Sequence, residues 1–215
     1  MEITIPENLN EITIQQYNDY QKAVKGKTNQ DYIDSKTVEI FCNINQGIRD
    51  VDFSKFDEAV NIITKALNEE AKFQPTFTMN GKTFGFIPDL EVISLGEKID
   101  LDKYLSDEDM FNRAMAVMYR PITFKKNSLY QIEKYEGSEK YADEMLQAPL
   151  GVFQGAMVFF YHLTNDLLKA TLPYLEDQIQ KTLQHEDNLG ASGDGIRQSS
   201  QLLMETLRDL TKLQS

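Results

Sequence analysis

The hydrophobic pattern turns on residues 110–137, MFNRAMAVMYRPITFKKNSLYQIEKYEG. Met110, Phe111, Ala114, Met115, Val117 and Met118 recur at helical spacing, and Pro121 cannot continue the helix beyond Tyr119-Arg120. Arg120 then sits where a cation favours a helix C-terminus. An extended crossing comes next. Residues 123–135 alternate in part, with Leu129, Tyr130, Ile132 and Tyr135, and Glu136-Gly137 turns the chain. The residues before this stretch read as a small mixed lobe. Those after it read as a run of helices.

In the N-terminal part, residues 2–6 alternate Ile3 and Ile5 around Thr4, a short strand pattern closed by Pro6. Thr13 caps a helix to about residue 24, with Ile14, Tyr17, Tyr20 and Val24 at helical spacing. Asp34 or Ser35 opens the next helix, through Val38, Phe41 and Cys42. Ser54 opens an amphipathic helix ending near Ala71, with Phe56, Val60, Ile63 and Leu67 on one face and Ala59 and Ala66 beside them. Residues 76–87 carry the clearest β pattern. Phe77 and Met79 lead into Asn80-Gly81, and Phe84 and Phe86 come after it. Asn-Gly between alternating apolar residues predicts a type I′ hairpin, which needs positive φ at both turn positions. The four apolar residues then share one face. Ser94-Leu95-Gly96-Glu97 matches a capping box and opens a helix toward Tyr104; Ser106 with Asp109 repeats the device.

In the C-terminal part, Ser138 caps a helix that stops before Pro149. Leu150 begins a long one, with Val152, Phe153, Ala156, Met157, Phe160, Leu163, Leu167 and Leu168 as its apolar stripe. Pro173 is its kink or break point, since a mid-helix proline costs roughly 3 kcal/mol. Residues 185–195, HEDNLGASGDG, read as a flexible linker. Residues 196–215 place Leu203, Leu207 and Leu210 on one face of a final amphipathic helix. The expected fold class is α+β, mainly α: a helical domain over 1–184 carrying a small β-hairpin, with a flexibly joined C-terminal helix.

Composition narrows the function classes. Net charge is −12 and the only local basic cluster is Lys125-Lys126, so the surface repels phosphate backbones and no nucleic-acid partner is expected. With 41% hydrophobic residues, including twelve Phe and ten Tyr, the chain can bury a core. The single cysteine, Cys42, excludes an internal disulfide and fits a reducing compartment. The start, MEITIPENL, has neither the basic nor the apolar region of a signal peptide. The longest apolar run, AMVFFY at 156–161, is far short of the about 20 residues a bilayer span needs, so no membrane partner is expected.

The chemistry-bearing residues form no catalytic motif. His162 and His185 have no second His or Cys at ligand spacing. Cys42 reads as a small buried residue on a helix face. Asp100 and Asp102, with Glu97 near, have the spacing of an acid/base or ion-binding pair, and equally that of a solvated acidic face. The glycines at 190, 193 and 195 lack the Gly-Lys-Ser/Thr ending of a phosphate loop. No enzyme activity, cofactor or metal is expected. Tyr119, Arg120, Tyr130 and Tyr135 are open to two readings: anchors of a protein interface, where Tyr and Arg concentrate, or buried tyrosines beside a helix-capping arginine.

Five segments carry a resemblance: ITIPENLNEITIQQY, FGFIPDLEVISLGEKIDLDKYL, MAVMYRPIT, YQIEKYEG and PLGVFQGAMVFFYHLTNDLLK. Their order is similar to that of small proteins encoded among the virion and tail genes of tailed bacteriophages. The resemblance covers the chain to about Leu172 and is a pattern of segments, not a catalytic signature. It implies a non-enzymatic assembly protein, foremost a tail assembly chaperone that binds the tape-measure protein. The alternative it implies is a permanent virion component such as a neck, ring or capsid-associated subunit. Its implied partners are phage tail or head proteins, or further copies of itself, in the cytoplasm of the infected cell or in the virion. The resemblance assigns no residue to them; by residue type and helical spacing alone, those expected to meet a partner are Tyr119, Arg120, Tyr135, Leu203, Leu207 and Leu210.

Overall fold

A computed structural model describes residues 3–44, 48 and 51–186. The chain divides into two units, one ending at Val158 and the other beginning at Phe159. The expected helix at 196–215, with Leu203, Leu207 and Leu210, lies outside the described residues. So does the linker after Glu186.

Capping chemistry sets most helix starts of the first unit. In α1 (Ile14–Val24) the Gln16 N–H donates to Thr13 Oγ1 at 3.1 Å and the Thr13 N–H to Gln16 Oε1 at 3.0 Å, a complete capping box. The Gln16 amide also reaches the carbonyls of Ile40 and Phe41, at 3.2 and 3.3 Å. It thereby ties α1 to the end of α2 (Gln30–Phe41). That helix starts earlier than Asp34 or Ser35: Asn29 caps it by accepting from Tyr32 N at 3.0 Å. Ser35 lies inside the helix with its hydroxyl bonded to Asp31 O. The next helix, α3 (Phe53–Leu67), starts from Asp52, which accepts from the Ser54 N–H, and stops short of Ala71. Its buried stripe is Ala59, Ile63 and Ala66. The larger Phe56, Val60 and Leu67 flank it half-buried, so small residues bring the helix close to its neighbours.

The hairpin forms as expected. β1 (Thr76–Met79) and β2 (Lys82–Phe86) pair through Asn80 and Gly81, at φ 50° and 73°. Phe77, Phe84 and Phe86 are buried on one face and Met79 is half-buried there. The Ser94–Glu97 capping box opens α4 (Leu95–Leu105). Ser106 closes that helix instead of opening the next, its hydroxyl bonded to Lys103 O. Asp107 caps a 3-10 turn that leads into α5 (Phe111–Met118).

At Tyr119 the backbone switches directly from helix to strand (φ −120°, ψ 124°). β3 (Tyr119–Lys126) then pairs antiparallel with β2 on one side and with β4 (Leu129–Ile132) on the other. The sheet has four strands in the order β1-β2-β3-β4, where a hairpin and a partly alternating extended crossing were expected. The second hairpin turns at Asn127-Ser128, with Asn127 at φ 56°, a region that Asn tolerates better than most residues. Every residue from 114 to 120 is buried, so the stretch around which the pattern turns is the centre of the core.

The expected strand at 2–6 is absent among the described residues. The chain near the N-terminus is instead held by Ile14 N to Ala148 O, Gln15 N to Leu146 O and Leu150 N to Ile12 O, at 3.1, 2.8 and 2.8 Å. These bonds hold the loop between α6 (Glu139–Met145) and α7 (Leu150–Glu186). In α7, Leu150, Val152, Phe153 and Ala156 are buried. Gly155 lets the helix approach an extended segment: a Cβ there would lie 2.2 Å from Lys72 O. Pro173 does not break α7, and His185 belongs to this helix.

Candidate functional site

Arg120 and Tyr135, two of the residues expected at an interface, come together around Glu97. Glu97 is the third helical residue of α4, fixed there by the capping box: the Ser94 N–H donates to Glu97 Oε2 at 2.7 Å. Its other oxygen, Oε1, lies 2.6 Å from Arg120 Nη1. Both residues are buried, at 6% exposure each. The guanidinium also lies over the Tyr135 ring, 5.3 Å from its centroid, within cation–π range. The Tyr135 hydroxyl donates to Asp100 Oδ2.

Arg120 therefore does not cap α5. It is a strand residue whose charge is matched inside the fold. The match is incomplete: Arg120 Nε and Nη1 are buried without a hydrogen-bond acceptor, so Nη1 meets Glu97 as a close ion pair, not as an aligned hydrogen bond. Burial alone would push the Glu97 carboxyl up. The two bonds from Ser94 and the Arg120 charge outweigh it and hold the carboxyl below its ordinary range. Burial first, and then the bond to Asp100, push the Tyr135 hydroxyl up, so it stays a donor.

Tyr119 points to the opposite face of β3. It is fully buried, edge-on to Phe77 and Phe86 at 5.3 Å each, and its hydroxyl donates to Gln74 O at 2.7 Å. Tyr130 crosses the sheet in the other direction, over Gly85, where a Cβ would lie 2.6 Å from the Tyr130 ring. Its hydroxyl reaches Phe86 O at 2.9 Å and Pro75 O at 3.2 Å. Tyr119 and Arg120 thus present no surface to a partner, and Tyr135 only part of one. These residues hold helix and sheet together.

The structure sets the remaining candidates apart from one another. Asp100 and Asp102 do not act as a pair: on a helix, residues two apart do not face each other. Asp100 meets Tyr135, and Asp102 is exposed. Cys42 is buried at the end of α2, and burial pushes its thiol up, away from the reactive thiolate. His162 is exposed beside Tyr161. No group of three or more His, Cys, Asp or Glu among the described residues could hold a metal ion, and no helix there is long and apolar enough to cross a membrane. A hollow of about 510 Å³ between α1 and the end of α2, bordered by Glu11, Asp19, Glu39 and Gln147, is open, polar and acidic.

Among the described residues, large apolar side chains reach solvent at Tyr32 and Phe53, at Val92, Leu95 and Ile99 around the start of α4, and at two further places. One is the later part of α7, where Tyr161, Tyr174 and Leu175 reach solvent. The other is the β3–β4 hairpin, where Phe124 and Leu129 lie exposed beside Lys125 and Lys126. The sequence marked this stretch as a partly alternating crossing and as a basic pair in an acidic chain. Comparisons of the chain with models of protein families, with curated proteins and with solved structures find no match.

Proposed function

We propose that the chain is a non-enzymatic assembly protein of a tailed bacteriophage, a tail assembly chaperone that holds the tape-measure protein until the tail is built. The observation that carries this reading is the change of character along α7. Leu150, Val152, Phe153 and Ala156 are buried, whereas Tyr161, Tyr174 and Leu175 on the same helix are 66%, 63% and 40% exposed. A helix that carries large apolar side chains into solvent suits docking against another apolar helix face. The segment PLGVFQGAMVFFYHLTNDLLK, which resembles phage tail-module proteins, runs along this same helix. A net charge of −12 keeps a protein with such a surface soluble in the infected cell.

The test is co-expression of the chain with the tape-measure protein encoded near it, then affinity purification. A stable complex is expected, and it should be lost in the triple variant Tyr161→Glu, Tyr174→Glu, Leu175→Glu. These positions are exposed, so the variant should melt with the parent. No complex, or a complex indifferent to the three changes, overturns the reading. Recovery of a head or neck protein in its place would support the permanent virion component.

A further inference from the structure

Between its two hairpins the sheet opens. β2 and β3 pair only through Phe84–Phe86 and Tyr119–Pro121. Pro121 has no N–H to give to the ladder. One residue later the β3–β4 register slips between Ile122 and Phe124, a bulge of the kind that bends a strand and increases its twist. Beyond this point β3 pairs with β4 alone. Its other edge borders a cleft of about 480 Å³, with Gly81, Lys82 and Thr83 on one wall and Ile122, Thr123 and Lys125 on the other.

The charge of this cleft opposes that of the chain. The protein carries −12, yet Lys82 and Lys125 line this cleft, and Lys126 comes next along β3. Lys82 is held by Glu144 at 3.0 Å. Lys125 and Lys126 are exposed and have no ion pair among the described residues. The register Lys126↔Leu129 and Phe124↔Gln131 puts Lys126, Phe124 and Leu129 on one face of the hairpin. Phe124 is 55% and Leu129 77% exposed. The opening therefore combines an unpaired strand edge, uncompensated positive charge and apolar side chains.

We propose that this cleft binds an extended acidic segment of a partner protein, laid as an added strand along residues 122–126 of β3. Main-chain bonds to the free edge of β3 hold the segment, and alternate side chains read the cleft. Its carboxylates lie against Lys125 on one face of the strand, and on the other face an apolar side chain rests on Phe124. A carboxylate peptide is favoured over nucleic acid because a chain of −12 repels a continuous phosphate backbone, whereas a short peptide places its charge only where the lysines are. The site depends on the sheet alone and does not require the α7 reading.

The test is fluorescence anisotropy of a labelled heptapeptide of alternating Glu and Val, titrated with the full chain. Saturable binding is expected, weakening with salt. The double variant Lys125→Glu, Lys126→Glu should raise Kd at least about tenfold, as removal of a complementary charge pair does. The same peptide N-methylated at alternate residues should also lose at least about tenfold, because it cannot complete a ladder. Both lysines are exposed, so the variant should keep the parental melting temperature. Absence of saturable binding, or equal binding by the lysine variant, overturns the proposal. Equal binding of the N-methylated peptide overturns the added strand. Tighter, lysine-dependent binding of an oligothymidylate of the same length would give the cleft to nucleic acid instead.

Discussion

Removing Glu97 should destabilise the protein in two ways at once. In Glu97→Leu the Arg120 guanidinium stays buried at 6% exposure with no counter-charge, and the Ser94 N–H loses its acceptor. Breaking a buried ion pair by deleting one partner costs about 3–5 kcal/mol, and a lost cap bond adds roughly 1 kcal/mol. Two features hold the figure at the lower end. Arg120 already lacks an acceptor at Nε, so part of the desolvation cost is present in the parent. The Tyr135 ring also continues to face the guanidinium. The expected loss is about 4 kcal/mol, a large share of the roughly 5–15 kcal/mol typical of a folded domain. The double variant Glu97→Leu, Arg120→Met carries no buried charge. It should recover most of the loss, because apolar replacement of a buried pair is often neutral or better. Urea unfolding of parent, both single variants and the double, monitored by circular dichroism, completes the cycle. A coupling energy above about 2 kcal/mol is expected. Single variants that each cost under about 1 kcal/mol and add without coupling would refute the reasoning.

Acid should act on the same residue. The Glu97 carboxyl lies below its ordinary range in the fold, so its contribution is complete above that range and fades as pH falls toward the lowered folded value. The Glu97→Gln variant should be less stable than the parent at neutral pH and converge on it in acid; parallel melting curves at all pH values would contradict the assignment. Gly81→Val puts a β-branched residue at φ 73° and should cost at least about 1 kcal/mol by thermal melting, whereas unchanged melting would deny the turn its demand for positive φ. Gly155→Ala sets about 1 kcal/mol of helix propensity against a Cβ only 2.2 Å from Lys72 O, a backbone atom that cannot swing aside. Overpacking costs about 1–3 kcal/mol, so a net loss in urea unfolding is expected and a gain would show that the helix shifts freely. A chain ending at Gly190 keeps Tyr161, Tyr174 and Leu175 and lacks Leu203, Leu207 and Leu210, so it should keep nearly the parental melting temperature and bind the partner more weakly; unfolding on truncation would place the last residues in the core, and undiminished binding would remove them from the partner surface.

The parts of the fold legible in the sequence are those governed by local chemistry. Thr13 with Gln16, and Ser94 with Glu97, are capping boxes whose two halves lie three residues apart. Asn80-Gly81 signals its turn with the same economy. Ser35, Ser54 and Ser106 misled because each lies a few residues beyond a cap or a helix of its own. Asn29 and Asp52 cap equally well and come first in the chain, and α4 runs as far as Leu105. The second hairpin was harder to read. Its turn is Asn-Ser, a weaker signal than Asn-Gly, and β3 starts without a loop at the end of α5 with a proline as its third residue.

Long-range partners left little trace. Nothing near Arg120 announces Glu97, twenty-three positions earlier. Asp100 and Asp102 looked like a pair only because spacing along a chain ignores the helix that separates them. One signal was available: an isolated glycine inside a strand, Gly85, marks a close approach, and Tyr130 lies across it. For the proposed cleft, the pair Lys125-Lys126 stood out against the acidic composition. The opening beside it depends on Pro121 and a bulge, whose effect appears only once the strands are paired.

If the chain serves assembly and then leaves, as proposed, its fate in the infected cell reveals it. Quantitative mass spectrometry of infected-cell lysate and of purified particles is the most direct test. Abundant chain is expected in the lysate, in complex with the tape-measure protein, and none above background in the particles. A fixed number of copies per particle would contradict this role and make the protein a permanent component of the virion.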